Sequence, residues 1–97
     1  MHSKQRKPPR NLVGPALRRL RNEKKLSQAK LAEALQRKGW SVTRDTIAKI
    51  EGQTRWVPDC EVMFLARFFG IAPEELFPKR ELDARLVEFL SYFEKGL

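Results

Sequence analysis

The chain of 97 residues is poor in the groups on which small proteins usually rely for chemistry. It has one cysteine, Cys60, and one histidine, His2, so it can close no internal disulfide and can assemble no Cys/His metal site. Reactive thiols need an electropositive niche, and Cys60 reads more simply as a small, half-buried residue at a helix start. Nowhere do apolar residues run for the roughly 20 positions that a membrane-spanning helix needs, and the basic first ten residues lack the apolar segment of a secretory signal. A cytoplasmic protein is expected. The sequence also offers no nucleophile with a companion base, no carboxylate cluster and no glycine-rich loop to cradle a phosphate. Neither enzymatic activity nor a metal or cofactor is expected.

What the chain does have is positive charge, unevenly placed. It carries 20 Lys and Arg against 12 Asp and Glu, for a net charge of +8. Residues 1–58 hold 15 cations against 4 acids, whereas residues 59–97 hold 5 against 8. A basic half suits a polyanion, because each neutralised phosphate releases condensed counterions. A solvated basic surface without a partner is the plainer alternative. With 41% hydrophobic and 33% charged residues, the chain can fill one globular domain and little more.

Caps and apolar spacing divide the chain into helices. Residues 1–10 place Lys4, Arg6, Lys7 and Arg10 around Pro8 and Pro9 with no apolar period, which predicts an unfolded basic arm. A first helix begins between Leu12 and Pro15 and runs to about Lys24, with Leu17 and Leu20 inward and Arg18 and Arg19 outward. Ser27 caps a second, on which Leu31, Ala32 and Leu35 share a face. Gly39 ends it with a left-handed turn, and Trp40 packs back on Leu35. Thr43 caps a third, with Ile47 and Ile50 inward and Arg44, Asp45, Ala48 and Lys49 outward. Trp56 and Val57 either pack beneath the next helix or meet a second copy. Asp59 is the expected cap of a fourth helix, with Val62, Leu65, Ala66 and Phe69 as its core stripe and Gly70 as its end. Pro73, Glu74 and Glu75 open a short fifth helix, and Leu76 and Phe77 close the core. In residues 79–97, Leu82, Leu86, Phe89 and Phe93 recur at helical spacing and predict an additional helix.

Three runs carry a family resemblance: LRRLR at 17–21, LSQAKLA at 26–32 and TRDTIAKIE at 43–51. With FLARFFGIAPEELF at 64–77, they resemble the lambda-repressor-like helix-turn-helix family of the xenobiotic-response-element type, over residues 12–78. The resemblance implies an all-α fold, a five-helix helix-turn-helix domain at 11–78, here with an extended second helix and the additional C-terminal helix at 79–97. It differs at one place, where about five extra residues separate Ala32 from Ile47. These are assigned to 36–40, as one more helical turn and a longer corner. By resemblance, Arg21 pairs with Glu51, and Gln28 holds a DNA phosphate at a helix N-terminus, where free N–H groups favour an anion. Lys30, Thr46, Thr54 and Arg55 are further candidates for phosphate contact.

The third helix is then the candidate reader of double-stranded DNA, through Thr43, Arg44, Asp45 and Lys49. Arg44 suits a guanine and Thr43 a thymine methyl. Lys49 suits a guanine or a phosphate. Asp45 has three options: accepting from a cytosine, orienting Arg44, or complementing the helix dipole. The basic arm either follows a groove or is a plain tail. The expected function is that of a homodimeric repressor on a palindromic operator, with Leu82, Leu86, Phe89 and Phe93 at the dimer interface or folded over the domain. Two alternatives remain, an antitoxin whose last helix binds a toxin and a protein-interaction module that uses the fold without DNA.

Overall fold

Ser27 and Thr43 set the frame, because each ends an extended stretch and accepts a backbone N–H three residues on. Ser27 Oγ accepts from Lys30 N–H at 3.0 Å and Thr43 Oγ1 from Thr46 N–H at 3.2 Å. The computed structural model describes residues 8–79 together with Glu88, Leu90 and Ser91. Its helices are α1 (Gly14–Glu23), α2 (Gln28–Arg37), α3 (Arg44–Glu51) and α4 (Asp59–Phe69), followed by a single 3₁₀ turn, Pro73–Leu76. No strand occurs among the described residues.

The core lies where the inward stripes meet. Leu17 of α1, Leu31 and Leu35 of α2, Ile47 and Ile50 of α3, Leu65 of α4 and Leu76 of the 3₁₀ turn are fully buried. Val13 and Val42, in the connections, complete it. Burying each such side chain contributes about 1.5–3 kcal/mol, which is why spacing alone can place a helix. The pairs α2·α3 and α1·α3 pack together, so α3 is held from both sides.

Several expectations need correction. The predicted fifth helix is only the four-residue 3₁₀ turn, and of its closing pair Leu76 is buried while Phe77 is 37% exposed. α4 is capped by Pro58, with Asp59 the first helical residue: Pro58 fixes extended backbone and its carbonyl accepts the first intrahelical bonds. Trp56 is 57% exposed, so it does not pack beneath α4. At the start of the chain, Pro9 is buried and Arg10 N–H donates to Gln53 O at 3.0 Å, so the last residues assigned to the arm dock on the domain. The extra residues at 36–40 give α2 only Gln36 and Arg37. Lys38 caps it, Gly39 takes φ +105°, and Trp40 N–H closes back on Leu35 O at 3.1 Å. Trp40 stacks edge-on against Phe64, 5.6 Å between centroids. In the predicted C-terminal helix, Glu88, Leu90 and Ser91 are helical; Leu82, Leu86, Phe89 and Phe93 lie outside the described residues.

Candidate nucleic-acid interface

α3 is anchored at its end by Glu51, whose carboxylate lies beneath four donors. Its Oε2 accepts from Arg21 Nε at 2.6 Å, and its Oε1 accepts from Arg21 Nη2 at 3.0 Å, Gln28 Nε2 at 3.0 Å and Arg18 Nε at 3.3 Å. The Glu51 side chain is wholly buried, that of Arg21 is 13% exposed and that of Arg18 57%. Arg21 Nη1 also donates to Leu26 O at 2.8 Å, so the guanidinium joins α1, α3 and the α1–α2 connection. Burial alone would push the Glu51 pKa up. Hydrogen bonds from Arg21 and Gln28, the charge of Arg21 and the bond from Arg18 outweigh it and hold the carboxylate below its ordinary range. The bond to Glu51 raises Arg21 against the opposing effect of burial.

From that anchor α3 presents a polar outer surface. Thr43, Arg44, Asp45 and Lys49 are all exposed. Arg44 forms no ion pair among the described residues. Asp45 meets Lys49 one turn on, at 3.0 Å, a partner not among the three options its sequence position raised. Both groups are solvated, so the pair contributes only about 0.2–0.5 kcal/mol and opens readily. The Thr43 hydroxyl is engaged by Thr46, 3.1 Å from its hydroxyl as well as at the cap.

The residues named for phosphate contact are more occupied. Gln28 is turned to Glu51, with one amide hydrogen committed there. Lys30 lies 3.6 Å from Glu33 and stays largely exposed. Thr54 Oγ1 donates to Lys49 O at 3.3 Å. Arg55 reaches Glu61 through both terminal nitrogens, at 2.8 and 3.4 Å, and Trp56 O at 3.1 Å, so it first serves to hold the α3–α4 loop.

The residue that sequence reasoning missed is Asn11. Its Nδ2 donates to Ile50 O at 3.1 Å and Arg55 O at 2.9 Å, while its Oδ1 accepts from Val13 N–H at 3.1 Å and Gly14 N–H at 2.8 Å. Gln53 Nε2 returns a bond to Asn11 O at 2.9 Å. An asparagine just ahead of a proline-opened helix is a local capping signal. Its long-range half has none. Gln53 has φ +62°, the left-handed position that closes α3, because Gly52 stands one residue too early to take it. Beside this loop, the Arg10 guanidinium lies 5.7 Å from the centre of the Trp56 ring.

Among the described residues no helix is long and apolar enough to cross a membrane. A family model described as Helix-turn-helix matches residues 17–76, more than half of the chain. No curated protein and no solved structure matches it. The match runs from the inward stripe of α1 to the 3₁₀ turn and takes in both capped helices and the Arg21–Glu51 anchor. The chain belongs to the lambda-repressor-like helix-turn-helix family of DNA-binding regulators.

Proposed function

We propose that the protein is a homodimeric, sequence-specific repressor that lays α3 of each copy into the major groove of a palindromic operator. The observation that carries the reading is the exposed polar face of α3, locked to α1 and α2 through the buried Glu51. A major groove admits one helix, and outward residues near its N-terminus reach base edges. Arg44, with no protein partner among the described residues, takes a guanine in a bidentate contact. Thr43 offers a methyl to thymine. Lys49 and Asp45 part from each other on binding, Lys49 to a guanine or phosphate and Asp45 to a cytosine amino group. Gln28 keeps a second amide hydrogen for a phosphate at the N-terminus of α2. Lys30, Thr46 and Thr54 flank the backbone on either side, and Arg55 steadies the loop that carries Thr54.

Selection of bound duplexes from a random pool tests this directly. An enriched, two-fold symmetric motif with half-sites about one helical turn, roughly 34–36 Å, apart is expected. Affinity should fall log-linearly with salt. Recovery of no motif would refute the reading.

A further inference from the structure

A surface helix of a small domain carries one apolar stripe; α4 carries two. Val62, Leu65 and Ala66 are buried in the core. On the opposite side Cys60, Met63, Phe64 and Phe68 keep helical spacing, interrupted only by Arg67. Met63 is 56% exposed. Three shallow grooves run end to end along this face. One of about 380 Å³ lies between Met63 and Leu12, Val57 and Phe77. The next, also about 380 Å³, lies between Met63, Cys60 and Ile71. The third, about 320 Å³, is bounded by Phe64, Phe68, Lys38 and Arg67. A fourth, about 440 Å³, shares Leu12 and Phe77 with the first and ends at Lys79. An apolar track thus joins the last residue of the continuously described domain to the far end of α4. That far end is cationic: Lys38 and Arg67, which bound the third groove, are exposed and form no ion pair among the described residues.

Residues 81–94 match this track in chemistry and length. They hold four acids, Glu81, Asp83, Glu88 and Glu94, against one cation, Arg85. The stripe Leu82, Leu86, Phe89 and Phe93 covers about 18 Å as a helix, against about 16 Å for the 11 residues of α4. We propose that the outward face of α4 is the seat of residues 81–94 from a second copy of this chain, exchanged reciprocally. The inference rests on the dimer reading above and specifies its contact as tail to α4, where a tail-to-tail pairing would leave Cys60 and Met63 bare and Phe64 and Phe68 only half-covered. Docking of a chain's own tail would spend the tail stripe and the seat within one copy, whereas reciprocal exchange uses the same two surfaces to join two copies, which a two-fold reader requires.

Cys60, the sole cysteine, is exposed on this face and reports on the contact. The full chain carrying Leu86→Cys is oxidised and sized under denaturing, non-reducing conditions. A covalent dimer is expected, absent from the oxidised unaltered protein and lost when Cys60→Ser is added. A disulfide closed within one chain, a dimer that survives Cys60→Ser, or no disulfide would each overturn the seat. Met63→Asp, at a solvent-facing position, should leave the far-ultraviolet circular dichroism unchanged and weaken dimerisation by about tenfold or more in sedimentation equilibrium. A dimer indifferent to Met63→Asp overturns the seat alone, whereas an unaltered protein that sediments as a monomer overturns the dimer reading with it.

Discussion

Replacing Glu51 with alanine should cost the domain far more than the loss of one surface charge. The carboxylate has no exposed surface and accepts four hydrogen bonds, two from a guanidinium that is itself 13% exposed. Arg18 adds little, because more than half of it is in water. Without Glu51, Arg21 keeps only its bond to Leu26 O and remains a largely buried cation. Removing one partner of such a pair costs about 3–5 kcal/mol, a large share of the roughly 5–15 kcal/mol that holds a domain together. At about 4–8 °C per kcal/mol for a chain of this size, the melting temperature should fall by roughly 12–40 °C. Thermal and urea unfolding followed by circular dichroism measure this. Arg21→Met in the same chain should recover much of the loss, because the orphaned cation goes with it. If Glu51→Ala changed stability by less than about 1 kcal/mol, the level of an exposed pair, the anchor would be no anchor. A double variant as costly as the two single ones summed would show that the groups do not act on each other.

Four further outcomes can be checked. Because Glu51 is held below its ordinary value, its contribution to stability is full above the unfolded carboxylate pKa of about 4.3 and is lost as pH falls through the lower folded value. Urea midpoints should therefore drop on acidification, and Arg21→Met should abolish or reverse that part of the slope, since burial, the largest single influence, is then opposed only by the bonds from Gln28 and Arg18. Gly14→Ala should destabilise by about 1–3 kcal/mol or more in urea unfolding, because the added Cβ would fall well inside contact distance of Ile50 O and 3.0 Å from Glu51 O, both backbone. Lys25, at φ +58° after α1, occupies a left-handed position that costs a non-glycine residue about 1–2 kcal/mol; Lys25→Gly should stabilise by about 0.5–1 kcal/mol in the same assay, the remainder being lost to the freer unfolded chain. Arg44→Ala should lose about 1–3 kcal/mol of discrimination at one base pair in competition binding, whereas Gln28→Ala should weaken all duplexes alike.

The parts of the fold written in adjacent residues were legible. Ser27 and Thr43 are caps three residues ahead of the N–H groups they accept, and Leu31, Leu35, Ile47 and Ile50 recur at helical spacing, so chemistry and position agree without knowledge of the whole. The outward residues of α3 follow from the same period. The Asp45–Lys49 pair was equally available from its four-residue spacing, though a reading centred on DNA passes over it. Partners distant in sequence were not legible. Nothing local ties Asn11 to Arg55 O, 44 positions on, and only resemblance brings Arg21 to Glu51. Trp56 shows the complementary limit, since whether a large ring is covered depends on neighbours supplied by the rest of the fold, and here the chain sets it outside beside Arg10.

Asn11 ties the entry of α1 to the exit of α3 and to the strand of backbone leading into α4, with bonds at both ends of its amide. Tilting α3 within the domain would therefore mean tearing that knot as well as the Glu51 cluster. On the proposed dimeric reading, accommodation to duplexes of different width or bend would have to come from elsewhere, from the long exposed side chains of α3 and from the angle between two copies, so that each domain would behave as a stamp of constant shape.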